Sequence, residues 1–155
     1  MSWTSTDASL VGFAAVVQAM RKVIESQCGL AMSPKMIDHT GSTPGGLIDD
    51  TFSLDVQSEN TDKYREDSVI RAGHALRVIV ARRFNAADEL ADYIAAMRFE
   101  EEIIRALAER VATYDVGVAW RRTERTRSVG GEYLIVTITL YCEHDWYSQP
   151  LAVAS

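Results

Sequence analysis

The sequence predicts an α+β fold: a mainly antiparallel four-stranded sheet with two helices packed on one face, in the order α-β-β-α-β-β. Three observations predict it. Two stretches repeat apolar residues at three- and four-residue steps, and four others alternate apolar with polar residues. The last two alternating stretches are separated only by Ser128-Val129-Gly130-Gly131, a connection of hairpin length. At 155 residues, with 47% hydrophobic and 25% charged residues, the chain suits one domain over 1–155 with a modest core, a long loop at 30–50 and a short C-terminal tail at 146–155.

The first helix is expected over 10–27, where Leu10, Ala14, Val17, Met20 or Arg21, Ile24 and Cys28 recur as one face requires. Asp7 or Ser9 suits its N-cap, and Gly29 suits its end, because glycine takes the left-handed conformation there without a steric penalty. The stretch 30–50 has no period and scatters Pro34, Gly41, Pro44, Gly45 and Gly46 among Met32, Met36, Ile37, Leu47 and Ile48. A loop of this length is either a surface excursion or a segment ordered by a partner.

Residues 51–57 alternate Phe52, Leu54 and Val56 with polar residues and read as a half-buried strand, followed by a charged connection at 60–67. Residues 72–83 place Leu76, Val78 and Val80 on one face and Ala75, Arg77, Ile79 and Ala81 on the other. Their β-branched content marks the most central strand. Asn85 is expected to cap the second helix, which begins near Ala87 with Asp88 and Glu89 at its positive pole. Leu90, Ile94, Met97, Ile104, Leu107 and Val111 form its expected buried face, with an interruption at Glu101 that suggests a kink. The closing strands span 114–127 and 132–142, with Val116, Val118 and Trp120 on one face of the first, and Leu134, Val136, Ile138, Leu140 and Cys142 on one face of the second.

Two helices cover one sheet face, so the other is expected to display Ile79, Tyr133, Ile135 and Tyr141 among Arg77, Thr137 and Thr139. An apolar face of that kind marks a contact site. The hairpin therefore reads as built to meet another protein.

The formal charge of −6 argues against a general nucleic-acid binder, since phosphate affinity needs surplus Lys and Arg. Cys28 and Cys142 are too few for a disulfide framework and suit reduced, buried positions. The first residues carry no basic stretch before an apolar run, and no run approaches the roughly 18 apolar residues of a membrane span, so the chain reads as soluble and unsecreted.

Candidate chemistry is thin. Cys142-Glu143-His144-Asp145, with His74 and His39 elsewhere, lacks the spacing that brings three or four zinc ligands together. Glu100, Glu101 and Glu102 point about 100° apart on a helix and read as a solvated face. The glycines at 41, 45 and 46 match no phosphate-binding order, and no catalytic triad stands out. No catalytic, cofactor-binding or metal residue is assigned.

Arg121, Arg122, Arg125 and Arg127 make the third strand positive, whereas residues 38–67 hold eight acidic and two basic residues. Three readings stand: solvated faces, regions that meet across a repeated subunit interface, or arginines facing DNA that passes through a ring. The arginines and the apolar residues Ile79, Tyr133, Ile135 and Tyr141 are the candidate interface set.

In layout the chain resembles the tail-terminator, or tail-completion, proteins of long-tailed bacteriophages and phage-like particles. The resemblance covers roughly residues 10–145. It lies in the N-terminal helix, the strand at 51–57, the passage Leu76-Arg77-Val78-Ile79-Val80-Ala81-Arg82-Arg83, the acidic helix containing Glu101-Glu102-Ile103-Ile104-Arg105-Ala106-Leu107, and the closing hairpin ending Leu140-Tyr141-Cys142. It implies a hexameric homo-oligomeric ring in the virion, on the head-proximal end of the tail tube, assembled in the host cytoplasm. Such a ring stops tube polymerisation and meets the tail tube protein on one side and a neck or head-closure protein on the other. DNA passes through its lumen without specific binding, and the resemblance implies no enzymatic activity, cofactor or membrane. A head-closure, neck or tube subunit is the nearest alternative, and a small ligand-binding or catalytic α+β domain is the alternative of another class.

Overall fold

A computed structural model describes residues 12–38, 49–60, 71–84, 87–108 and 117–145. Their order is α1 (Gly12–Cys28), β1 (Ala31–Met32), β2 (Thr51–Asn60), β3 (Arg71–Arg83), α2 (Glu89–Ala108), β4 (Gly117–Arg127) and β5 (Tyr133–Asp145). The α+β class holds, but the sheet is five-stranded and mixed, in the order β1-β2-β3-β5-β4. The extra strand is β1, two residues that pair parallel with Thr51 and Phe52 inside the segment expected to be loop. Two residues cannot display a period, so the pattern hides them. The other neighbours are antiparallel, and β3 is the central strand, as its β-branched content indicates.

Residues directly opposed in an antiparallel ladder share a face, so the register draws rows across the sheet. Phe52, Val80 and Val136 form one row, Leu54, Val78 and Ile138 the next, and Val56, Leu76 and Leu140 a third. These rows and both helices make the main core. Helix α1 contributes Phe13, Val16, Ala19, Met20, Val23, Ile24 and Cys28. The buried stripe is thus turned from the expected one: Ala14 is exposed and Val17 half-buried, because Phe13, Val16 and Val23 bury more apolar area on the adjoining side. Gly29 follows the helix with φ of 66°, the left-handed geometry expected of it. The N-cap candidates Asp7 and Ser9, and Leu10, lie outside the described residues.

Helix α2 departs further from expectation. It buries Ala96, Ile103, Ala106 and Leu107, with Tyr93, Phe99 and Ile104 packed against them, and leaves Leu90 (70%), Ile94 (57%) and Met97 (49%) exposed. The helix carries apolar residues on two stripes, and the stripe with the larger continuous run takes the core. Asp88 caps it, its Oδ1 accepting from the Ala91 amide at 3.1 Å, while Asn85 lies outside the described residues. The helix runs unbroken through Glu101. Asn60, placed in the charged connection, is the last residue of β2, and the rest of that connection (61–67), Val111, Val116 and the tail 146–155 also lie outside.

The second sheet face is not open as expected. Ile37 packs there in one buried cluster with Ile79, Ala81 and Ile135, with Tyr133 packed alongside. The Ile37 amide donates to Ser53 Oγ at 3.1 Å, and the Ser33 amide to the Phe52 carbonyl at 2.7 Å. Ile79 and Ile135 are each only 1% exposed, and neither is presented to a neighbour. Of the apolar residues of the supposed loop, Ile37 joins this second cluster, Leu30 and Met32 join the main core and Met36 is exposed, while Leu47 and Ile48 lie outside the described residues. Asp49 and Asp50 then return the chain to β3: Asp49 Oδ1 accepts from the Arg83 amide at 2.7 Å and Asp50 Oδ1 from Arg82 Nη1 at 3.0 Å.

Candidate assembly surface

Among the described residues the sheet ends on one side at β4, which pairs there with β5 alone. Its hairpin is tied by Ser128, whose amide donates to the Tyr133 carbonyl and whose hydroxyl accepts from the Tyr133 amide at 3.0 Å. Gly130 and Gly131 take φ of 93° and 74°, positions that a side chain would strain. A register shift between Trp120 and Arg122 inserts one extra residue, Arg121. Bulges and charges of this kind blunt an edge against indiscriminate pairing.

On the helix-side face, the apolar rows run out at β4: Leu134, Val136, Ile138 and Leu140 are opposed by Arg127, Arg125, Thr123 and Trp120. Helix α2 lies along this row. Glu100 accepts from Thr123 Oγ1 at 2.7 Å and forms an ion pair with Arg125 Nη2. Arg127 Nη2 meets Glu89 Oε1 at 2.8 Å, and its guanidinium lies 4.1 Å from the Phe84 ring centroid. The hydrogen bond to Glu89 holds the Arg127 proton more firmly than usual. Glu100 is therefore no part of a solvated face, although Glu101 is exposed and Glu102 pairs with Arg98 at 2.9 Å, so the three carboxylates stay apart.

The predicted arginines thus divide. Arg125 and Arg127 reach back to α2, whereas Arg121 stacks over the Tyr141 ring at 4.9 Å and Arg122 lies 3.5 Å from Glu124. Arg122 and Glu124 sit on the face away from the helices, opposite Thr139 and Thr137. Of the predicted apolar set, Tyr133 and Tyr141 are half-buried.

The sequence reading missed the exposed apolar residues of this flank. Leu90, Ile94 and Met97 form the α2 row next to the one carrying Glu89, Tyr93 and Glu100, and Trp120 stands 52% exposed on β4 with its indole N–H on Thr123. The signal was present as a second apolar stripe on α2, more than one buried face needs. Covering each of these side chains is worth about 1–2 kcal/mol. Their sum only reaches the low end of the roughly 4–15 kcal/mol that association costs, so the stripe alone does not hold a partner. Edge hydrogen bonds, at about 0.5–1.5 kcal/mol each, have to add to it.

A second feature is an open cleft of about 520 Å³ between the end of α1 and the middle of α2, lined by Ser26, Gln27, Cys28, Arg82, Arg98, Phe99 and Glu102 among others. Its charges are already matched: Arg98 to Glu102, and Arg82 to Asp50 at 3.0 Å and Asp92 at 3.7 Å. Burial, with the Glu102 charge second, pushes the Cys28 thiol up to about 11, so it stays protonated and a poor nucleophile at neutral pH. Cys142 is likewise free and buried. His74 is its direct cross-strand neighbour and stacks on Phe13 at 3.8 Å. Among the described residues no three His, Cys, Asp or Glu side chains converge as a metal site, and no helix is long and apolar enough to cross a membrane. Compared with models of known protein families and with curated proteins, the chain matches none of them.

Proposed function

We propose that this protein is a non-enzymatic structural component of a phage or phage-like particle that assembles with copies of itself. Within that class, the reading is a tail terminator: a ring, hexameric in the family it resembles, that caps the head-proximal end of the tail tube, ends tube polymerisation and offers a docking surface to the neck. The observation that carries the self-assembly reading is the flank where an eleven-residue edge strand, β4, lies beside the exposed apolar stripe of α2. An edge supplies backbone donors and acceptors, and a stripe supplies apolar area, which together form an interface where either alone falls short. The tail-terminator assignment itself rests on the layout of the sequence.

The partners on this reading are a second copy of the chain, the tube subunit and a neck or head-closure protein, with DNA passing the lumen without specific contact. The test is tail assembly with and without the protein. Tubes of defined length in its presence and overlong tubes in its absence support a terminator. Normal tubes that fail to join heads favour the head-closure reading, and an absent tube favours a tube subunit. The cleft beside Arg82 favours the small-molecule reading instead, which a chain that stays monomeric and retains a metabolite through purification would support.

A further inference from the structure

The two ends of the sheet differ in charge and run in opposite directions. β4 carries Arg121, Arg122, Arg125 and Arg127 against one acidic residue, Glu124. β2, near the opposite end, carries Asp55 and Glu59 and no basic residue. Its outer edge is covered by β1 only at Thr51 and Phe52, and past Phe52 it meets no strand among the described residues. Because β2, β3, β5 and β4 alternate in direction, β4 runs opposite to β2. A copy set alongside in the same orientation therefore brings its β2 antiparallel to the first copy's β4, and the ladder continues from one chain into the next.

The rows on the face away from the helices continue as well. Asp55, Arg77, Thr139 and Arg122 form one row across the sheet, with Asp55 and Arg77 already joined at 3.2 Å. Carried into the next copy without stagger, Arg122 falls beside Asp55, and Ala119, opposed to Tyr141, falls beside Gln57. A two-fold contact of β4 on β4 instead brings together two strands that each carry four arginines and one glutamate, a like-charge juxtaposition that cross-strand electrostatics disfavour. Charge thus selects a head-to-tail contact over a closed dimer. Contacts of that type generate rings when the rotation between copies closes.

We infer that copies of this chain join head to tail, the β4 edge of one pairing antiparallel with the outer edge of β2 of the next beyond Phe52, with Arg122 answering Asp55 across the seam. This rests on the reading of the chain as a self-assembling component. The exposed stripe of α2 lies along the same seam, above β4, and is covered by the incoming copy.

The experiment uses two full-length variants, Ala119→Cys and Gln57→Cys, each at an exposed position, while the native cysteines are buried. They are mixed and treated with a short bismaleimide, with the wild type and each variant alone as controls. The expected result is a cross-linked mixed dimer, on the order of tenfold over either variant alone, that Arg122→Glu in the Ala119→Cys chain abolishes. Mass photometry and circular dichroism on the same samples report assembly and folding. Oligomers that yield no mixed product, or mainly the Ala119→Cys homodimer, overturn the edge pairing and leave self-assembly standing. A folded chain that stays monomeric at every concentration and enters no particle overturns both.

Discussion

At the residue scale, two buried side chains are kept from water. Cys142 is fully buried on β5, and burial pushes its thiol from the ordinary 9.0 up to about 12. A folded pKa above the unfolded one gives stability that is complete below pH 9 and is lost as pH rises from 9 through 12. The unfolding free energy should therefore fall about 1 kcal/mol more between pH 8 and 10 in the wild type than in Cys142→Ala, by denaturant titration at both pH values. Equal slopes would mean that the thiol reaches water in the folded chain. Ile37 is the other group, buried in one cluster with Ile79, Ala81 and Ile135. Ile37→Ala should cost about 2–4 kcal/mol through the cavity it leaves. The neighbouring exposed Met36→Ala should stay within about 0.5 kcal/mol, and similar losses at both would show that 33–38 does not seat on the sheet.

At the element scale, α2 is the informative case because it has two apolar stripes and one core. Ala96, Ile103 and Leu107 face inward, while Leu90, Ile94 and Met97 face out beside β4. Leu107→Ala is expected to destabilise the monomer by about 2–5 kcal/mol. Ile94→Lys should change thermal stability little and weaken self-association, as read by mass photometry alongside a melting curve. If Ile94→Lys unfolds the chain instead, the stripe belongs to the core and the flank loses its role. The helix also shows how charge can be settled within a chain: Glu89 and Glu100 hold Arg127 and Arg125, while Arg122 lies 3.5 Å from Glu124 and Arg121 stacks over Tyr141.

At the scale of the whole molecule, the sheet has an arginine-rich strand at one end and an acidic strand near the other, and the proposed seam joins the two. The seam should weaken as salt rises from about 0.05 to 0.5 M, because exposed ion pairs are screened beyond a Debye length of a few ångströms at the higher value. Monomer stability over the same range should hardly move, since the core is apolar. Association that strengthens with salt would assign the contact to the α2 stripe and not to the strand edges. Mass photometry across the salt series separates the two.

Local pattern was enough to read the α+β class, the centrality of β3, the hairpin that pairs β4 with β5, and the glycine stop of α1. Each of these is local: a period of two or 3.6 residues, or a glycine at positive φ, needs no distant partner to be legible. Packing settled which of two apolar stripes on α2 meets the core, that Ile79 and Ile135 are buried together with Ile37, and that β1 makes a fifth strand. It also decided which arginines find carboxylates within the chain. Those outcomes depend on contacts between residues far apart in sequence, where burial is won by whichever surface packs with the larger apolar area, and a one-dimensional pattern records the candidates without recording the competition.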